Sequence, residues 1–148
     1  MSKYNKGFTL IELLVVIAII GILSSVVLAS LSVARGKGND AKVEAQLSSL
    51  RASAEVYNDT NKSYGGTQTD CHSGMFADTV SGMSQYTATA NYPAGALMIC
   101  NSTNTAYAVS AILPGNGGGT DAWCVDSLGN SIRETGGNIG SGVIQCPL

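Results

Sequence analysis

The sequence predicts an α+β protein, in which a long amino-terminal helix packs on a small antiparallel β-sheet. Three observations support this fold class. Residues 13–34 contain no charged side chain. Apolar residues at helical spacing follow them, and the rest of the chain alternates turn residues with short runs of β-formers. The 148 residues suit one domain with an appendage.

The first half of the predicted helix is apolar. Its uncharged span, residues 13–34, covers about 33 Å as a helix, enough for a bilayer core of about 30 Å. Gly21, Ser25 and Ala29 recur every four residues, so they share one helix face that a second helix can approach closely. A single helix surrounded by lipid is the alternative that this spacing leaves open.

The second half of the predicted helix is amphipathic. Gly36 and Gly38 are expected to weaken or bend it, and Asn39 or Asp40 to restart it as a cap. Apolar residues then follow at steps of four, three, four and three, at Val43, Leu47, Leu50, Ala54 and Tyr57. This stripe must cover other apolar residues, and the helix is expected to end near residues 58–61.

The remaining chain predicts a sheet of three or four strands. β-Formers cluster in residues 96–100, 107–113 and 122–125, and Val143-Ile144 is expected to form a last short strand. Turns are expected at residues 101–104, 114–120 and 128–131, and a short helix around residues 76–83. Since a small sheet is marginal by itself, the helix stripe and the cysteines must help to supply its core.

Four cysteines all lie beyond the apolar run, at Cys71, Cys100, Cys124 and Cys146. An even count in an exported chain indicates two disulfides, for which three pairings are possible. We favour Cys71–Cys100 and Cys124–Cys146, because each closes a local loop of moderate length. A zinc site is disfavoured, because there is no C-x-x-C pair and His72 is the only histidine.

Composition argues against several classes of function. Without Lys3 and Lys6, the chain keeps six basic and ten acidic residues, which is a net charge of −4 and unlike a nucleic-acid binder. A single histidine offers no convincing catalytic triad, and the glycines at residues 115–119 lack the lysine of a phosphate loop. We therefore expect no enzyme, no cofactor, no metal site and no specific nucleic-acid partner.

The amino terminus carries a specific pattern. Lys3 and Lys6 precede Gly7, which is followed by Phe-Thr-Leu-Ile-Glu-Leu-Leu-Val-Val at residues 8–16. This pattern resembles the signature of the type IV pilin superfamily, which includes pilus subunits and the pseudopilins of type II secretion. The resemblance implies that prepilin peptidase cuts between Gly7 and Phe8, and that the same enzyme methylates the new amino terminus of Phe8.

The resemblance also implies an architecture, the pilin-like lollipop. It divides the chain into a leader (residues 1–7), a transmembrane or filament-core helix (8–34), an amphipathic half of that helix (35–60) and a disulfide-bonded, β-rich head (61–148). Two departures from the family are visible. Ala29 stands near the position where many pilins have a proline, and the calcium loop of the major pseudopilins is not evident around Asp121 and Asp126.

Glu12 is the only charged residue within the apolar run. A carboxylate at the centre of a membrane helix costs about 2.5–3.5 kcal/mol, and less near the interface, so it needs a partner. Cleavage after Gly7 would create an amine on Phe8, which Glu12 of a neighbouring parallel helix can meet. We therefore expect Glu12 and Phe8 to direct assembly. A glutamate that merely lies in the headgroup region is the alternative.

The leading hypothesis is a structural subunit of a type IV pilus or related filament, for adhesion, motility, DNA uptake or surface interaction. Its expected partners are other copies in a helical homopolymer, prepilin peptidase and an inner-membrane assembly platform. It would be a single-pass precursor in the cytoplasmic membrane and then an extracellular or periplasmic filament. The alternatives are a pseudopilin or minor pilin, and a secreted disulfide-linked binding module released by a signal-peptidase cut after Ser32-Val33-Ala34.

Overall fold

The computed structural model describes residues 7–115 and 119–147. The chain divides into two compact units, Met1–Arg35 and Gly36–Leu148. Helix α1 is assigned from Leu10 to Asn61, so it supplies residues to both units. We call its part in the first unit the stem helix, and we call the second unit the head.

The stem helix exposes its apolar side chains on all sides. Every described residue of the first unit is exposed, and the buried residues of α1 begin only at Asp40. By length and composition, this helix is long and apolar enough to cross a membrane. A helix that is apolar around its whole circumference is typical of a buried or membrane-embedded position.

The head combines the end of α1 with a four-stranded sheet and short helical turns. Two 3-10 turns at Gly74–Ala77 and Thr89–Asn91 flank helix α2, which spans Met83–Thr87. The strands are β1 at Met98–Ser102, β2 at Tyr107–Ile112, β3 at Asp121–Asp126 and β4 at Ser131–Thr135. All neighbours are antiparallel, in the order β1-β2-β3-β4. The predicted α+β class is confirmed.

The main core of the head lies between α1 and the sheet. Val43, Leu47, Leu50 and Ala54 have no exposed surface, and they share one apolar cluster with Val109 and other inward residues of the sheet. The four-three-four spacing of the helix residues therefore marks the face that packs, as predicted. Tyr57 lies at the edge of the cluster and is only partly buried.

One local prediction for α1 is wrong, the new helix start at Asn39 or Asp40, whereas the expected weakening or bend at Gly36 and Gly38 stays a prediction. The helical assignment continues through Gly36 and Gly38, and neither Asn39 nor Asp40 begins a new helix. Asp40 is instead 4% exposed and accepts a hydrogen bond of 2.8 Å from the backbone N–H of Gly115. A helix that packs on a core tolerates a few tenths to about 1 kcal/mol of unfavourable propensity at each glycine.

The fourth strand also differs from the prediction. Val143 and Ile144 lie in a loop, and the fourth strand is β4, which pairs with β3 from Ser131 to Thr135. Two apolar residues suggested a strand at 143–144, whereas β4 mixes polar and charged residues and gives a weaker signal. Of the turn predicted at residues 114–120, residues 116–118 lie outside the described part.

The carboxyl-terminal segment, residues 136–147, covers the outer face of the sheet. Ile139 and Cys146 pack there with Ala108 and Cys124 in a second apolar cluster. Three buried polar side chains on neighbouring strands hold backbone groups of this segment: Asn101 on β1, Ser110 on β2 and Asp126 on β3. The sheet is thus covered on both faces, which a small sheet needs.

Asp126 is the most heavily hydrogen-bonded of these three residues. Its carboxylate accepts bonds from the backbone N–H groups of Leu128, Asn130 and Cys146 and from the side-chain amide of Asn130, at 2.8–3.0 Å. Burial alone would raise its pKa, but these hydrogen bonds outweigh burial and hold the pKa of Asp126 below its ordinary value. Asp126 therefore links the turn between β3 and β4 to the carboxyl-terminal segment as an ionised group.

Two disulfides, Cys71–Cys100 and Cys124–Cys146, are present in the head. These are the pairs favoured by the loop-length argument. Cys71 and Cys100 belong to the core between α1 and the sheet, whereas Cys124 and Cys146 lie in the outer cluster. One bridge therefore tethers the loop after α1 to β1, and the other fastens the carboxyl-terminal segment to β3.

Candidate assembly site in the stem helix

The start of the stem helix is closed by a reciprocal pair of hydrogen bonds. Thr9 precedes the first helical residue, and its hydroxyl accepts a bond of 3.2 Å from the backbone N–H of Glu12. The Glu12 carboxylate accepts bonds from the backbone N–H of Thr9 at 2.9 Å and from its hydroxyl at 2.8 Å. This is a capping box, which satisfies two backbone donors that a helix start leaves free.

The capping role of Thr9 is not among the sequence-based predictions. The signal was present, because Thr9 and Glu12 form the pattern Thr-x-x-Glu directly before an apolar run. The capping box orients the carboxylate toward the amino-terminal end of the helix, where the partial positive charge of the backbone also favours an anion. Glu12 is therefore positioned beside Phe8, the residue proposed to become the amino terminus.

Glu12 has no cationic partner in the part of the chain that the structure describes. The ion pairs there join Lys62 to Asp59, and Arg133 to Glu44 and to Asp121. Glu12 itself is exposed, and its bonds go to Thr9 alone. The charge of Glu12 is therefore not neutralised by any described residue of the same chain.

The proposed processing residues are accessible. Gly7 is exposed and precedes the helix, and the side chain of Phe8 is 86% exposed. Extended backbone outside a helix is what a peptidase can bind and cut, so this placement is compatible with cleavage between the two residues.

The small residues of the stem helix are also exposed. Gly21 has free space around its Cα, because a Cβ placed there would meet no atom within 4 Å. The Ser25 hydroxyl donates to the carbonyl oxygen of Ile22 at 2.8 Å, so its polar group is already satisfied within the helix. Gly21, Ser25 and Ala29 therefore present a smooth face without an unpaired side-chain donor, available to another helix.

The described residues of the head contain no candidate metal site. Among residues 7–115 and 119–147, no group of three or more His, Cys, Asp or Glu side chains lies close enough to hold a metal ion. All four cysteines are bridged. Thr9 and Glu12 at the start of the stem helix therefore remain the candidate site.

Comparisons with known proteins support this location. Residues 2–28 match the model of the prokaryotic N-terminal methylation motif. The chain is 49% identical over 63 residues to the type IV wide pilus major component PilA4 of Thermus thermophilus, a match that covers 43% of this chain and 48% of that protein. The chain thus spans about half the length of this curated relative. No solved structure matches it. Over the matched residues the chain is therefore similar to type IV pilins, and each of these two matches covers less than half of the chain.

Proposed function

We propose that this protein is the structural subunit of a type IV pilus or a closely related filament. The observation that carries the proposal is the stem helix, whose apolar side chains are exposed and whose only acidic residue, Glu12, has no cationic partner among the described residues. The similarity to a major pilus component supports a bulk subunit over a rare one. The same relative, a pilus component, supports a non-enzymatic role.

Burial of the stem helix supplies the driving force. At about 25 cal/mol per Å² of apolar surface, a helix of this size gains on the order of tens of kcal/mol before entropic costs. In the cytoplasmic membrane, lipid covers this surface in the single-pass precursor. In the filament, the stems of neighbouring copies cover it, and head-to-tail contacts of this kind do not close, so they give a fibre.

Glu12 supplies the register. Prepilin peptidase would cut after Gly7 and expose the amine of Phe8, which the same enzyme would methylate. Glu12 of one copy then pairs with the Phe8 amine of the next, at an inner-membrane assembly platform. An axial mismatch leaves both charges unpaired in an apolar surrounding, which penalises the wrong offset between stems. Thr9 holds the carboxylate ready for this exchange.

Two substitutions distinguish the pairing of Glu12 with a neighbouring copy from its role in capping the helix. We expect Glu12→Ala to insert in the membrane but to reduce filament yield at least tenfold, measured by shearing and electron microscopy. Thr9→Ala removes the cap but keeps the charge, and N-cap substitutions cost about 1 kcal/mol. It should reduce yield far less. If both variants assemble equally poorly, Glu12 acts through the helix start and the pairing role is wrong.

The mature amino terminus tests the processing step. Mass spectrometry of native material should give a chain beginning at methylated Phe8. A chain beginning at Arg35 would indicate a secreted head cut after Ala34 and would contradict the proposal. Short or membrane-retained assemblies composed of other subunits, with this chain as a minor component, would instead indicate a pseudopilin or minor pilin.

A further inference from the structure

The free positive charges of the head lie at the end of the chain nearest the stem helix. Lys37 and Lys42 are exposed, and neither forms an ion pair or hydrogen bond in the part of the chain that the structure describes. The other basic residues of the head are engaged. Arg51 donates to Ser131, Lys62 pairs with Asp59, and Arg133 pairs with Glu44 and Asp121.

The acids near these lysines in sequence are bonded to other groups. The Asp40 carboxylate lies between the two lysines in sequence, but it is 4% exposed and bonded to the backbone of Gly115. Glu44 pairs with Arg133. Asp40 and Glu44 therefore bond to groups of the head, and the two lysines keep an uncompensated positive surface.

The rest of the head has the opposite charge. Residues 43–148 contain three basic and eight acidic residues, which is a net charge of −5. The five-residue spacing of Lys37 and Lys42 places them about 140° apart around the helix, on opposite flanks of the face that packs on the sheet. The positive surface is thus a short collar around α1 rather than a patch spread over the head.

The chain fixes the distance of this collar from a membrane. Lys37 lies only three positions after Ala34, the end of the apolar run, so the two Cα atoms lie at most about 11 Å apart. Lys42 is about 7.5 Å further along the helix. Both lysines therefore lie within, or about one Debye length of, the headgroup region of a membrane that the stem helix spans.

We propose that Lys37 and Lys42 form a binding surface for anionic phospholipid headgroups, which orients the head on the membrane before assembly. The inference rests on the proposed function, because it requires the stem helix to span the membrane. Cations beside an anionic leaflet are attracted to it, whereas the acidic remainder of the head is repelled. This difference in charge orients the head, with Lys37 and Lys42 closest to the membrane surface.

The reactivity of the lysines tests the proposal without a substitution. The full chain is reconstituted in vesicles of phosphatidylcholine alone, or of phosphatidylcholine with phosphatidylglycerol, and treated with a water-soluble acetylating reagent. Mass spectrometry then gives the acetylation rate of each lysine. Lys62 is the internal control, because its side chain is 79% exposed and it belongs to the acidic part of the head. We expect phosphatidylglycerol to slow Lys37 and Lys42 on the order of fivefold relative to Lys62.

Three outcomes overturn the proposal. Equal rates in both kinds of vesicle would exclude binding to anionic headgroups. Protection of the lysines from acetylation that persists at high salt would exclude electrostatic binding, because salt screens the attraction between the lysines and the headgroups. Slower acetylation that depends on the protein-to-lipid ratio but not on phosphatidylglycerol would indicate that the lysines contact a second copy. In each of these cases the chain is still inserted, so the proposed function stands, whereas a chain that fails to insert contradicts both.

Discussion

Leucine side chains are exposed in the stem helix, whereas they are buried where α1 packs in the head. Leu28 in the stem is 66% exposed, whereas Leu47, nineteen residues later in the same helix, has no exposed surface. The head thus completes its own core, with the sheet on one side of α1. Among the described residues, those of the stem are all exposed, and under the proposed function lipid or other copies cover this apolar surface. The proposed function therefore assigns folding and assembly to different segments of one helix.

Matched leucine substitutions give the largest expected contrast. Leu47→Ala should lower the free energy of unfolding of the head by about 3–5 kcal/mol, because it opens a cavity in a packed core. Leu28→Ala should leave it unchanged. The single tryptophan, Trp123, lies against this core and reports unfolding of the head by fluorescence in detergent.

In filaments, we expect Leu28→Ala to have an effect that it does not have on the stability of the head. Leu28→Ala should weaken filaments against dissociation by detergent, because its side chain is covered only after assembly. An equal loss of head stability in both variants would show that stem and head unfold together. It would contradict the separate roles proposed for the two segments of α1.

The disulfides test how the head is closed. Each bridge closes a loop of 22 or 29 residues, for which loop-closure entropy predicts about 3 kcal/mol of stabilisation. Replacement of both Cys124 and Cys146 by alanine should also release the carboxyl-terminal segment. We expect faster hydrogen exchange at the amide of Ile139, which donates to Ser110. The Cys71/Cys100 double variant is the matched control, since it should lose similar stability and keep Ile139 protected.

Asp126 predicts a pH dependence confined to the head. Its pKa is depressed in the folded state, so its stabilising contribution is present above the unfolded pKa of about 3.9 and is lost as pH falls toward the folded value. Asp126→Asn should cost about 2 kcal/mol at neutral pH, because an amide cannot accept all four bonds. The difference between wild type and variant should shrink below about pH 4. A constant difference would contradict an ionised Asp126.

Much of this architecture could be predicted because its signals are local. The uncharged run, the stripe from Val43 to Ala54 and the patterns of β2 and β3 each follow from a short window of sequence. The Phe8–Glu12 segment was identified for the same reason. A disulfide pairing could be favoured because both pairs close short loops.

The rest depends on contacts between distant residues. β4 is an edge strand whose polar residues are set by pairing with β3, so its own sequence gives little indication. The carboxyl-terminal segment has no regular structure, and Asn101, Ser110 and Asp126 hold it through bonds across 20–42 residues. Asp40 looked like a cap in sequence and instead bonds to Gly115, 75 residues away. Thr9 differs from these cases, because the pattern Thr-x-x-Glu before an apolar run is a local signal for its capping role.

The smallest expected effect comes from two tyrosines whose rings meet edge to face, with centroids 5.1 Å apart. The hydroxyl of Tyr64 donates to the Glu55 carboxylate at 3.0 Å, whereas the buried hydroxyl of Tyr107 has no partner among the described residues. Tyr64→Phe should therefore cost about 1 kcal/mol, and Tyr107→Phe should be neutral or slightly stabilising, because removal of an unpaired buried hydroxyl costs no hydrogen bond. Fluorescence-detected unfolding measures both. A loss above about 1 kcal/mol for Tyr107→Phe would show that the Tyr107 hydroxyl is bonded, through a buried water or a shifted side chain, and that the core of the head is less apolar than its packing indicates.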